Sequence, residues 1–161
     1  MKKLCLFLSL CILLTACAPT DPLDEISAEL GLDLSSGTLV HSGDSHGGFL
    51  GDGETVMQIV IPNLQLPQND HWHPLPLSAN LSRALYGESG ERWTYKPLFS
   101  DENGDPLLPR IENGCYFFLD RHRESVDNAD DSPLYSRGSW NFTAAVYDFG
   151  TGTLYYFSID T

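Results

Sequence analysis

The chain is predicted to adopt an α+β fold, with an antiparallel sheet of four to five strands and two or more short helices packed on one face. Three observations predict it. Runs rich in branched and aromatic residues alternate with connections rich in glycine, proline and aspartate. Two short stretches carry apolar residues at helical spacing between clear start and stop residues. The last two aromatic runs are separated only by Phe149-Gly150-Thr151-Gly152, a hairpin connection that makes their pairing antiparallel.

Taken in order, the first helix is expected at about 22–30. Asp21 supplies a capping carboxylate, Pro22 presets φ at the first helical position, and Asp24 and Glu25 face the positive end of the helix dipole. Leu23, Ile26 and Leu30 form the stripe that lies on the core, and Gly31 stops the helix. Thr38–His41 and Glu54–Ile61 read as strands, and the connection between them holds five glycines and two aspartates. Pro62 to Pro76 reads as an irregular, proline-punctuated stretch carrying His71-Trp72-His73. A second helix is expected at 78–86, with Ser78 as cap, Leu81, Ala84 and Leu85 inward, and Gly87 as stop. Residues 87–114 and 124–138 read as long surface connections on either side of a strand at 115–120. Asn141–Asp148 and Thr153–Ile159 form the closing hairpin, with Tyr155, Phe157 and Ile159 on one face of the last strand and Leu154, Tyr156 and Ser158 on a half-polar opposite face.

A length of 161 residues suits one domain, and three Trp, seven Tyr and eight Phe argue against a disordered chain. The formal net charge is −13, from 22 acids and nine bases. Such a surface repels phosphates and forgoes the counterion release that dominates nucleic-acid affinity, so a nucleic-acid binder is excluded. Attachment to anionic lipid by charge is excluded on the same ground.

Met1-Lys2-Lys3 is a short cationic start, Leu4 to Leu14 is apolar apart from Ser9, and small residues then lead to Cys17. This is the layout of a secretory signal. Crossing the hydrocarbon core takes about 20 apolar residues, and the run is shorter than that. Leu14-Thr15-Ala16-Cys17 resembles the lipobox of bacterial lipoproteins. The resemblance covers only the leader. It implies removal of residues 1–16 and a diacylglycerol on the Cys17 sulfur, with residues 17–21 as lipidated N-terminus and short tether; length and the order of elements make 22–161 a single α+β domain. It also implies attachment to the outer face of the cytoplasmic membrane, or to an outer membrane if the cell has one. Two acyl chains anchor stably where one does not. Loss of Lys2 and Lys3 leaves seven bases against 22 acids, or −15 before terminal groups.

Cys5 and Cys11 leave with the leader and Cys17 carries lipid, so Cys115 is the one thiol left in the domain. It stands in an apolar strand and reads as a small buried hydrophobe, since a reactive thiolate needs a basic or helix-terminal setting.

The most unusual string is Asp44-Ser45-His46-Gly47-Gly48-Phe49-Leu50-Gly51-Asp52-Gly53-Glu54. Glycines at this density permit tight turns that bring Asp44, His46, Asp52 and Glu54 within reach of one another, with Phe49 plugging the loop into the core. These residues are candidate ligands for a divalent cation or a small molecule, or His46 is a general base oriented by an aspartate. The plainer alternative is a wide hairpin whose aspartates bond their own backbone. The string resembles a pattern in small bacterial surface lipoproteins, which implies no activity. A phosphate cradle is rejected, because lysine and a following helix start are missing and the acids repel phosphate.

Other oxygen-rich strings are weaker. Asp101-Glu102-Asn103-Gly104-Asp105 with Glu112 has calcium-loop spacing, but Pro106 occupies the sixth position, where glycine is needed. Asp127-Asn128-Ala129-Asp130-Asp131 reads as a solvated loop. His71 and His73 share one side of an extended segment, yet the preferred reading has Trp72 as a core anchor and both histidines exposed. Arg121-His122-Arg123-Glu124 reads as an ion-pair cluster with surrounding acids, or more sharply as a carboxylate clamp. No nucleophile elbow is present.

The leading functional expectation is a membrane-anchored extracytoplasmic lipoprotein that binds a protein or small ligand without catalysis and without a cofactor. One alternative is a metal-assisted or His/Asp-based hydrolase built on Asp44, His46 and Asp52. Another is an inhibitor or immunity lipoprotein with a basic partner.

Overall fold

The computed structural model describes residues 21–47 and 51–161. The leader, Cys17 and Phe49 lie outside the described residues. Helix α1 spans Pro22–Leu30, where the Asp21 carboxylate accepts from the Leu23 N–H at 3.0 Å and Gly31 takes φ 66° to end it. Strands β1 (Thr38–Asp44), β2 (Gly53–Val60) and β3 (Trp72–Pro74) follow, then helix α2 (Ala79–Tyr86), capped by the Ser78 hydroxyl accepting from the Leu81 N–H. The two-residue strands β4 (Glu88–Ser89) and β5 (Thr94–Tyr95) precede β6 (Gly114–Asp120), β7 (Asn141–Asp148) and β8 (Thr153–Asp160).

Six strands form one antiparallel sheet in the order β1-β2-β8-β7-β6-β3, and β4 pairs with β5 in a small separate ladder. The fold is α+β, with a sheet larger than the four to five strands expected. The additional strand is Trp72–Pro74, inside the stretch read as irregular. With only three residues, it is strand by virtue of its pairing with Cys115–Phe117.

The helices were expected on one face of the sheet, and they lie on opposite faces instead. Ile26 and Leu30 of α1 pack with Ile59, Phe117, Ala145, Tyr147, Leu154 and Tyr156. Leu81, Ala84 and Leu85 of α2 pack with Phe118, Phe142, Ala144, Val146, Phe157 and Ile159. Neighbouring side chains in a strand point to opposite faces, so these two sets are the two sides of one sheet. The central strands are apolar in both alternations and need a cover on each side. The 87–114 and 124–138 segments are more than surface connections, because Phe99, Leu108 and Leu134 from them are buried in the α2-side core.

Polar groups stitch the layers together. The Tyr147 hydroxyl donates to the Ile61 carbonyl at 2.9 Å and accepts from the Leu64 N–H, pinning the turn after β2. Trp72 is half-buried against the α1-side core and donates its indole N–H to the Leu30 carbonyl, satisfying a free acceptor in the last turn of α1. Cys115 is buried, and desolvation pushes its thiol up to about 12, far from a reactive thiolate. Among the described residues no helix is long and apolar enough to cross a membrane.

Candidate functional site

The glycine-rich connection leaves the end of β1 and re-enters at the start of β2, next to the end of β8. The Asp44 carboxylate accepts from both the His46 N–H and the His46 Nδ1 at 2.8 Å. The other ring nitrogen, Nε2, stands 3.4 Å from Asp160 Oδ2 on β8. Both nitrogens face carboxylates, and only the protonated imidazolium presents an N–H to each.

Asp160 continues the chain of charge. Arg121 approaches Asp160 Oδ1 at 2.9 Å and donates to the Ser158 hydroxyl at 2.7 Å. Its Nε lies 3.8 Å from Glu29 Oε1 on α1. Glu29 accepts from the Thr143 hydroxyl at 2.5 Å and from the Tyr156 hydroxyl at 2.6 Å. Burial, reinforced by this Glu29 contact, pushes the Tyr156 hydroxyl well above its usual range. The sequence Asp44–His46–Asp160–Arg121–Glu29 is thus one alternating row of charges across the polar end of the α1-side face.

Asp44, Glu25, Glu29, Thr55, Met57 and Tyr156 line a cleft of about 270 Å³ between α1 and the sheet. Asp52 and Glu54 are elsewhere. They border a separate open groove with Ser45 and Asp160. Partial burial pushes the Glu54 carboxyl up, opposed by the His46 charge. Of the four residues expected together, the structure joins Asp44 and His46, and it supplies Asp160 where the sequence suggested Asp52. Among the described residues no three His, Cys, Asp or Glu side chains are grouped to hold a metal ion.

The weaker strings also have definite structures. Asp101 accepts from the Asn103 and Asp105 N–H groups and is a polar turn, whose backbone hydrogen bonds lower its carboxyl. Asp127 and Asp130 close similar turns onto Ala129 and Ser132. His71 and His73 are half-buried, not exposed. They lie beside the rings of Phe117 and Tyr116, and His71 Nδ1 is 2.9 Å from the Phe118 carbonyl. Pairing of β3 with β6 draws them in. Arg121 is the centre of an ion-pair cluster, as the plainer reading held.

Glu29, Tyr156, Thr143 and Asp160 escaped sequence reasoning. A signal existed for the helix residue, since Pro22, Glu25, Ile26 and Glu29 fall on one helical stripe, and for Asp160, which extends the Leu154, Tyr156, Ser158 alternation.

The contacts from Asp44 and Asp160 raise the His46 imidazole above its ordinary 6.5, and the His46 N–H groups lower Asp44. A raised histidine stabilises the fold fully below its unfolded value and loses that contribution as pH rises through the folded value. The hold of this clamp on the β1–β2 tip is therefore expected to be complete in acid, below the ordinary histidine value, and to weaken as pH rises through the raised folded value. Amide exchange at Ser45 and Glu54 checks this. Protection should fall with rising pH, after correction for base-catalysed exchange, and should lose that dependence in His46→Gln. The same pH response in both proteins would count against the clamp.

In comparisons with known proteins, the chain matches no family model, and no curated protein or solved structure is significantly similar to it.

Proposed function

We propose that this chain is a membrane-tethered extracytoplasmic lipoprotein whose folded domain is a binding module. The anchor rests on the Lys2-Lys3 start, the apolar run and Leu14-Thr15-Ala16-Cys17. The helix that starts at Pro22 leaves Ala18–Asp21 as the tether, so the domain is held close to the bilayer. For the domain, the observation that carries the reading is the occupation of both His46 nitrogens by carboxylates. A general base needs a nitrogen free to take a proton, and this imidazole serves instead to fasten β1 to β8.

The Cys17→Ala chain is expected to move from the membrane fraction to the soluble fraction, because it loses both acyl chains. Fractionation with immunoblotting checks this, and unchanged membrane retention sinks the anchor.

A further inference from the structure

Seven basic side chains are described, and four of them have carboxylate partners. Arg83 pairs with Glu88, Arg121 with Asp160 and Glu29, Arg123 with Glu124, and Arg137 with Asp120. Arg92, Lys96 and Arg110 have none within 4 Å among the described residues, and they fall in one stretch around the β4–β5 ladder. Among the described residues of this acidic domain, the basic side chains with no carboxylate within 4 Å are thus gathered in this region.

Lys96 and Arg110 border a groove of about 510 Å³, the size of a small-ligand site. Tyr86, Tyr95, Ser89 and Asn103 also line it, and Asp105 is the one lining carboxylate without an ion pair. The Arg110 guanidinium lies 3.9 Å from the centre of the Tyr86 ring, and the Tyr86 hydroxyl donates to the Pro109 carbonyl. Stacked in this way, Arg110 keeps the N–H edge of its plane available for a carboxylate. Tyr95 is 48% exposed and Trp93, edge-on to it at 5.1 Å, is 47% exposed. The Arg83 guanidinium lies over the rings of both Tyr95 and Tyr135, at 5.0 and 4.9 Å from their centres, the two rings are in contact at 5.9 Å, and Arg83 is bonded to Glu88. The aromatic wall is thus fixed before any ligand arrives, which lowers the entropic cost of binding.

From this groove we infer that the binding module takes an acidic oligosaccharide, with a sugar carboxylate between Lys96 and Arg110 and a sugar ring against Tyr95. Charge complementarity selects the anion. The exposed aromatic and the surrounding hydroxyl and amide groups suit a ring with one apolar face and a polar rim. A peptide is a poorer occupant, since strands of two residues offer no useful edge for strand addition. The inference rests on the binding-module reading and names its ligand class and site.

The test is calorimetric titration of the full-length protein in neutral detergent with a galacturonic acid trimer, its methyl ester and a pentaglutamate peptide. The trimer is expected to bind. Its ester, and the Arg110→Gln and Lys96→Gln variants with the trimer, are each expected to bind about tenfold or more weakly, the scale of a lost charge-assisted hydrogen bond. Tyr95→Ala should weaken the trimer without restoring the ester. No trimer binding, equal binding of trimer and ester, or unchanged affinity in both charge variants overturns the proposal. Equal binding of pentaglutamate overturns the sugar assignment while leaving a binding module. A Cys17→Ala chain that is soluble and still binds the trimer supports both readings, and one that stays on the membrane while binding refutes the anchor alone.

Discussion

Phe157→Ala is expected to destabilise the domain by about 3–5 kcal/mol, the range for truncating a fully buried aromatic. Phe157 is 1% exposed on β8, a strand with neighbours on both sides in the sheet. Its ring lies 4.9 Å from that of Phe99, which arrives from the long 87–114 segment. The cost has two parts, loss of apolar burial and a cavity that paired strands cannot close. Urea unfolding followed by tryptophan fluorescence checks it, with the midpoint lowered and the slope unchanged. A loss below about 1 kcal/mol would mean that the α2-side core is not packed as described.

Arg137→Ala is expected to cost a similar amount, about 3–5 kcal/mol, by leaving a buried charge uncompensated. The Asp120 side chain is 3% exposed and that of Arg137 13%. Asp120 Oδ1 accepts from Arg137 Nη1 at 2.8 Å and from the His122 N–H, while the fully buried Oδ2 has the Arg137 ionic contact without hydrogen-bond geometry. This pair fastens the 124–138 segment to the end of β6. The Asp120→Asn, Arg137→Met double variant should recover most of the loss, because it removes both charges while keeping volume. If the double variant is as unstable as the single one, desolvation of the unpaired carboxylate is not the cause.

Contrast these sites with the exposed pairs. Arg123 and Glu124 stand 4.0 Å apart with side chains 88% and 69% exposed, where water screens the attraction and the pair contributes little. The same residue types therefore have different weights in neighbouring stretches of chain, and burial decides between them.

The two helices, strand β6 and the final hairpin were legible because their signals are local. Asp21 and Ser78 cap helices within three residues, Gly31 and Gly87 end them, and the β7 and β8 runs are long and aromatic. Strand β3 was not legible, since Trp72–Pro74 owes its conformation to pairing with a strand some forty residues later. Phe142, Ala144 and Val146 alternate with Ala145 and Tyr147, so β7 is apolar on both faces, but the expectation put both helices on one face, and the tertiary structure sends α1 to one side and α2 to the other.

The candidate site divides along the same line. Asp44 and His46 are two residues apart, so a turn can join them and the chain's order suffices to suggest it. Asp160 reaches His46 only because β2 and β8 are neighbours, and Glu29 reaches Tyr156 only because α1 crosses that face. Period and capping are properties of a few consecutive residues and are written in their order. Which carboxylate approaches which imidazole, and which cations are left without partners around β4 and β5, is set by long-range strand pairing and helix docking, whose free energy belongs to no single segment.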